Sequence, residues 1–267
     1  MFSVDVEEVA TLIHEVAVSA VLPHWRALAD GDVGEKSPGE VVTSVDRAAE
    51  AQLTERLLAM VPDALVIGEE AAAADPSLLD AVEEAPLLWL VDPLDGTQNF
   101  VNGSADFAVM VALVQDGETV ASWIDRPAVG RFYMAVRGGG AFADGQRLHV
   151  HRTGDVANLR GTALTRFLDA QQRAAIDQFG RTIGSLGPGR VCAGVDYPLV
   201  AEGQQDFVLF WRTLPWDHAP RALLVSEAGG VAAHLDGAPY RPAIRRNGLV
   251  AASDAVAHTA VAHALVA

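Results

Sequence analysis

Cysteine is nearly absent. Cys192 is the only one among 267 residues, which rules out an intrachain disulfide and any metal site built from thiolates. Positive charge is scarce as well: 19 Lys and Arg stand against 35 Asp and Glu, for a formal charge of −16 and a pI of about 4.7. Such a surface repels nucleic acid and anionic membranes, so neither is expected as a partner. Long apolar runs are missing too; stretches such as Phe107 to Val114 fall far short of the roughly 20 residues a membrane helix needs. The start of the chain, Met1-Phe2-Ser3-Val4-Asp5-Val6-Glu7-Glu8, is acidic where a secretory leader is basic, so a cytoplasmic protein is expected. There is no internal repeat and no low-complexity linker. With 50% hydrophobic and 20% charged residues, what remains is a globular chain, one large domain or two intimate ones, that can bury a substantial core.

Periodicity predicts a helix over residues 2–29, with Val6, Val9, Ile13, Val16, Ala17 and Ala20 on its apolar stripe and Pro23 kinking or ending it. Residues 30–42 read as a Gly-, Asp- and Glu-rich loop. A second helix is expected over 44–61, with Ala48, Leu53, Leu57, Leu58 and Val61 buried. Val66 to Gly68 reads as a strand running into Glu69-Glu70, Ser77 to Glu84 as a short helix, and Leu87 to Val91 as a buried strand that ends at Asp92. Strands are expected over Asp106 to Gln115, Val120 to Asp125, Arg131 to Val136 and Leu148 to His151, with hairpin turns at Asp116-Gly117 and Asp144-Gly145. Arg137-Gly138-Gly139-Gly140 lacks the following helix and Gly-Lys-Ser/Thr element of a nucleotide loop. A second half begins near Thr153, with strands at 161–164, 206–210 and 249–251. Its helices are expected over 170–179, 195–203 and from Asp217 to a Gly229-Gly230 stop, with a last one in the C-terminal tail.

The most informative stretch is Trp89-Leu90-Val91-Asp92-Pro93-Leu94-Asp95-Gly96-Thr97-Gln98-Asn99-Phe100. Proline fixes one φ angle and Asp-Gly turns the chain sharply. Two carboxylates flanking such a turn can converge on one point, which is costly unless a cation sits between them. Hard divalent cations take oxygen ligands of this kind. Taken alone, Asp-Pro and Asp-Gly are common loop punctuation. Likewise Lys36 reads alone as a solvated charge, Asp46 as a first-turn helix carboxylate and Asp217 as an N-cap.

Together these pieces resemble the signature of the inositol monophosphatase family of Mg²⁺-dependent, lithium-sensitive phosphomonoesterases. The resemblance runs in order through Lys36 to Asp46, Glu69-Glu70, Asp92 to Thr97, and Trp216-Asp217 with Ala228-Gly229-Gly230. It implies a layered αβαβα sandwich (α/β, of the α+β type shared with fructose-1,6-bisphosphatase), commonly dimeric. In it residues 1–152 would carry most metal ligands and residues 153–267 would supply Asp217 and the alcohol pocket, the two forming one compact catalytic unit.

The resemblance further implies two or three Mg²⁺ ions held by Glu69, Asp92, the Leu94 carbonyl, Asp95 and Asp217. Glu69 and Thr97 would orient and deprotonate the attacking water. Asp46 would accept a hydrogen bond from Thr97, and Lys36 would face the phosphate or the mobile metal site. Glu70 is a secondary candidate. Gly96 and Thr97 N–H groups would bind phosphate oxygens. His218 is expected on polar helix surface. The implied substrate is a small phosphorylated metabolite, inositol monophosphate-like. The family places an acidic residue seven positions before the helix aspartate to contact sugar hydroxyls. Here that position is Phe210, flanked by Trp211 and Arg212. Either Glu202 or Asp206 takes over that role, or the ester differs: histidinol phosphate, a sugar bisphosphate or a nucleotide 3′-phosphate. Cys192, Ala193 and Gly194 map to the stretch that touches the substrate ring. A contrasting reading makes the chain mainly a regulatory protein-binding partner; a two-metal nuclease is disfavoured by the lack of a basic track.

Overall fold

The computed structural model describes residues 4–266. Its first half comprises α1 (Val6–Val16), β1 (Val33–Ser37), β2 (Glu40–Thr43), α2 (Ser44–Met60), β3 (Leu65–Gly68), α3 (Glu69–Ala74), α4 (Ala81–Glu84), β4 (Leu87–Asp95) and α5 (Thr97–Val101). A meander follows: β5 (Ala108–Gln115), β6 (Glu118–Arg126), β7 (Arg131–Val136), β8 (Gly140–Ala143) and β9 (Gln146–Arg147). Then come β10 (Arg160–Ala163), α6 (Ala170–Gly180), β11 (Ser185–Gly187), α7 (Ala193–Ala201), β12 (Phe207–Phe210), α8 (Pro215–Glu227), β13 (Val231–His234), β14 (Leu249–Ala252) and α9 (Ala255–Val266).

The strands form a seven-stranded sheet in the order β3-β4-β5-β6-β7-β8-β9, a five-stranded sheet in the order β11-β10-β12-β14-β13, and the β1–β2 hairpin. Helices α1 and α2 cover one face of the larger sheet; α7 and α8 lie between the two sheets; α6 and α9 cover the far face of the smaller one. This is the expected αβαβα sandwich. The β4 core run is buried on both faces: Trp89 and Val91 pack with α1 and α2, while Leu88 and Leu90 pack with Trp216 and Ala219 of α8. Buried alternation on two sides explains why the run reads as continuously apolar.

Several expectations are corrected. The first α-helix ends at Val16, and the chain continues through a π turn (Ala17–Val21) and a 3₁₀ turn (Leu22–His24) in which Pro23, with no N–H, cannot continue the ladder. Arg26, with φ 63°, turns away beyond it; residues 2 and 3 of the predicted helix lie outside the described residues. The loop at 30–42 is mostly the β1–β2 hairpin, turned at Gly39 with φ 78°. On α2 it is Ala49, not Ala48, that is buried, and Leu58 is exposed. The strand expected at 148–151 is not one: the Leu148 amide goes to the Ala141 carbonyl and the Val150 amide to Ala228 at the end of α8, which ties that helix to the sheet. The short strands β11 and β13 have too few residues to show a period.

Candidate active site

Strand β4 does not stop at Asp92. It runs on to Asp95 with a bulge: Asp92 pairs with Met110 and Asp95 with Ala108, so β4 has one more residue than β5 in this interval. Without it, residues three apart on a strand would point to opposite faces; the extra residue brings both carboxylates to the face that Met110 and Ala108 share. Pro93, with no amide to pair, is tolerated at such an irregularity. Gly96 then adopts φ 80°, and a Cβ there would lie 2.8 Å from the Asp106 carbonyl; only glycine makes this turn into α5.

The other carboxylates arrive from neighbouring ends. Because β3 runs parallel to β4, with Gly68 beside Val91, Glu69 emerges next to Asp92. Pro215 opens α8, and Asp217 projects from its first turn. Oxygens of Glu69, Asp92 and Asp217 lie within 4.8 Å of one another. One Asp92 oxygen takes the Leu94 amide at 3.2 Å; the other, fully buried, has no hydrogen-bond partner among the described residues. Burial and the Asp217 charge push Glu69 up to about 8, despite Lys36. Burial, then Glu69 and Asp95, holds Asp92 well above the usual carboxylate range. Burial lifts Asp217 to about 6 against the pull of Arg221. Three carboxylates this close together, one of them with a buried oxygen that no hydrogen bond satisfies, fit a divalent cation of the Mg²⁺ type.

Around this cluster, Lys36, the only lysine in the chain, donates to Glu69 at 2.5 Å and Glu70 at 2.7 Å. Asp46 closes a capping box with Thr43 at the start of α2, and its other oxygen lies 3.0 Å from Thr97 Oγ1. That hydroxyl is equally close to the Leu94 carbonyl, so the two acceptors share one proton. Asp95 sits beside the cluster: one of its oxygens takes the Gly194 amide at 2.6 Å and the Cys192 thiol at 2.9 Å. A Cβ on Gly194 would come 2.6 Å from that of Ala108, so glycine allows α7 this close to the sheet.

A cleft of about 370 Å³ opens from Asp95 and Asp217 between Leu164, Arg166, Phe167, Phe210 and Arg212. Of the three residues assigned to the substrate ring, only Ala193 lines it. Cys192 and Gly194 are buried and turned toward Asp95, and burial keeps the Cys192 thiol protonated. Glu202 and Asp206 are elsewhere: Glu202 is bound by Arg131 and the Tyr133 hydroxyl, Asp206 by Thr153 and the Arg160 amide. Phe210 stacks on Tyr197 at 5.2 Å and meets the His218 ring edge-on at 5.1 Å. Arg212 pairs with Glu40 and lies 4.7 Å above the Phe167 ring.

His218 is not on the surface. It is fully buried, because its place in the first turn of α8 faces inward against α7. Its Nε2 donates to the Arg212 carbonyl at 2.9 Å, which leaves Nδ1 to accept from the Tyr197 hydroxyl at 2.8 Å; burial depresses it to about 3, so it stays neutral. Two further residues escaped the sequence reading. Glu50 accepts the Glu70 and Ala71 amides, both at 2.8 Å, and so holds the start of α3. Arg221 enters the cluster from α8. The signal in both cases is a charge on a buried stripe one helical turn from a site aspartate (Asp46 and Glu50, Asp217 and Arg221).

A family model described as inositol monophosphatase family matches residues 4–267. The chain belongs to that family. Among curated relatives, an inositol-1-monophosphatase of Mesorhizobium japonicum is 34% identical over 242 residues, 83% of this chain and 85% of that one. A histidinol-phosphatase of Mycobacterium tuberculosis is 36% identical over 219 residues, 78% and 81% of the two chains. Among solved structures, the IMPase of Thermotoga maritima superposes with a TM-score of 0.82 at 25% identity, covering 97% of this chain and 95% of that one. The protein is thus a phosphoric monoester hydrolase of the inositol monophosphatase family, in which Mg²⁺ dependence is a general trait. No helix among the described residues is long and apolar enough to cross a membrane.

Proposed function

We propose that the chain hydrolyses a small phosphorylated metabolite, with Mg²⁺ held by Glu69, Asp92 and Asp217 together with the Leu94 carbonyl. The observation that carries this reading is the convergence of three carboxylates, one with a buried orphaned oxygen, at the mouth of a cleft. Bound Mg²⁺ would offset their repulsion, draw in the phosphate and acidify a water. The chain's own groups do the rest. Glu69 and the Thr97 hydroxyl, the latter backed by Asp46, orient the water and take its proton. The Gly96 and Thr97 amides at the start of α5 receive phosphate oxygens. Lys36 holds Glu69 and Glu70 in place and adds positive charge toward the phosphate. In this reading residues 1–152 and 153–267 act as one catalytic unit, as a cytoplasmic homodimer that engages neither nucleic acid nor membrane; the charge of −16 supports the last point. Asp92→Asn is expected to lower Mg²⁺-dependent phosphate release by at least about 100-fold, since even residues behind metal ligands cost 10–100-fold, while the far-UV circular dichroism is unchanged. Turnover near that of the parent would overturn the metal assignment.

For the alcohol, an inositol monophosphate-like ester is the first reading, supported by the names of the relatives. A second reading is favoured by the cleft itself. Its walls bring Phe167 and Phe210 together with Arg166 and Arg212, the latter paired with Glu40, and among the described residues Asp95 and Asp217 are the carboxylates that line it. Such walls suit an ester bearing a second anionic group, a sugar bisphosphate or nucleotide 3′-phosphate, better than a cationic alcohol such as histidinol. A panel of these esters, each with and without lithium, separates the readings. If Arg212→Gln raises KM for doubly anionic esters and leaves inositol phosphate unchanged, the second reading stands; equal effects on both classes remove it.

A further inference from the structure

We infer that the Arg221 guanidinium takes the place of a divalent cation at the Asp92–Asp95 edge of the site, so that this chain holds one metal ion fewer than its carboxylates suggest. The inference rests on the metal reading above and sharpens it to a count.

Arg221 lies one helical turn after Asp217 on the same face of α8. Its side chain is 0% exposed, which is rare for arginine unless opposite charges surround it. Nη2 is 3.1 Å from Asp95 Oδ2 and 3.7 Å from Asp92 Oδ2, and Nε rests 2.8 Å from the Met110 sulfur. The β4 bulge aims both carboxylates at this point. The Asp95 oxygen that faces Arg221 also takes the Gly194 amide and the Cys192 thiol, so its capacity is filled by fixed donors. The Asp92 oxygen facing Arg221 is the orphaned one, and neither Nη is aligned for a hydrogen bond. The contact is an ion pair between a carboxylate edge and a permanent cation.

The electrostatic consequence is direct. A second divalent ion between Asp92 and Asp95 would sit against a buried guanidinium that cannot lose its proton and, with zero exposure, cannot swing into water. Like charges repel strongly at such range in a desolvated place, where water screens them little. Glu69, Asp92 and Asp217, with oxygens within 4.8 Å of one another and Lys36 beside Glu69, keep the donors for one ion, Asp92 being shared between that ion and Arg221. Arg221 thereby positions Asp92 and Asp95 without touching substrate.

The test is a count. Metal-free protein is titrated with Mn²⁺, and free Mn²⁺ is followed by electron paramagnetic resonance, for the parent and for Arg221→Ala, Arg221→Met and Arg221→Lys. The expected result is one bound ion per parent chain, two in the Ala and Met variants, and one again in the Lys variant, which restores the charge. Two or more ions in the parent, or the same count in the parent and Arg221→Ala, overturns the inference. If the variants do not fold, the parent count alone decides. No bound ion in the parent overturns the metal reading itself, a result distinct from finding two.

Discussion

Asp196 shows how a single side chain near the site carries its own pH signature. It is fully buried at the start of α7, and among the described residues its carboxylate is bound by the Arg190 amide alone. Burial, reinforced by the Asp95 charge, lifts it from 3.8 to about 6. A folded value above the unfolded one means that the stability tied to this group is complete below 3.8 and is lost as pH rises through about 6. Asp196→Asn is therefore expected to be more stable than the parent at pH 8, by on the order of 2 kcal/mol, with the advantage shrinking as pH is lowered toward 5. Urea unfolding at the two pH values checks this; an equal difference at both removes the assignment. His218 has the opposite sign: neutral and buried, it resists protonation, and its two hydrogen bonds fix the Arg212 carbonyl and the Tyr197 ring that backs Phe210.

Among elements, the short helix α3 depends most on another. It has only Glu69 to Ala74, too few residues to form alone, and Gly68 at its N-cap offers no side chain. The missing cap comes from Glu50 of α2, whose carboxylate receives the second and third amides of α3. Glu50→Ala is expected to cost about 1–2 kcal/mol, as lost caps do, and to lower turnover by about 10-fold or more by freeing Glu69 from its place beside Asp92, in the range seen when groups behind a metal ligand are removed. Glu50→Gln keeps one acceptor and should lose less. Thermal unfolding and the Mg²⁺ dependence of the rate measure the two effects; a Glu50→Ala enzyme that unfolds earlier but turns over normally would limit Glu50 to stability. The β1–β2 hairpin is similarly borrowed: Arg166 donates to the Gly39 carbonyl and Arg212 to Glu40, so groups from the second half hold the turn and second strand of the hairpin whose first strand carries Lys36.

For the molecule as a whole, the site lies where chain ends from both sheets and the α7–α8 layer meet, and it collects negative charge in a protein already at −16. Cation binding should therefore stabilise the folded state by linkage, since the unfolded chain has no such cluster. Mg²⁺ at about 100 times its Kd is expected to add about 2.7 kcal/mol, a rise of roughly 5–10 °C in Tm for a chain of this size, reversed by a chelator and absent in Asp92→Asn. A Tm that ignores Mg²⁺ would contradict this linkage.

The sequence by itself determined the Asp92–Thr97 turn, because its features are local: a proline, an Asp-Gly pair, a charge at the end of an apolar run; the family, and through it the sandwich, came from the resemblance that these motifs carry in their order. Most helices and long strands are legible for the same reason. The hairpin at 33–43 was hidden because β1 is exposed along most of its length and β2 has only four residues, too few to show a period. What only the tertiary structure decided is which groups share space. The β4 bulge turns Asp92 and Asp95 to one face, Glu50 caps a helix twenty residues away, Cys192 and Gly194 serve Asp95 and not the cleft, and Arg221 fills the edge between two carboxylates. Each depends on contacts between distant segments, which no local pattern encodes.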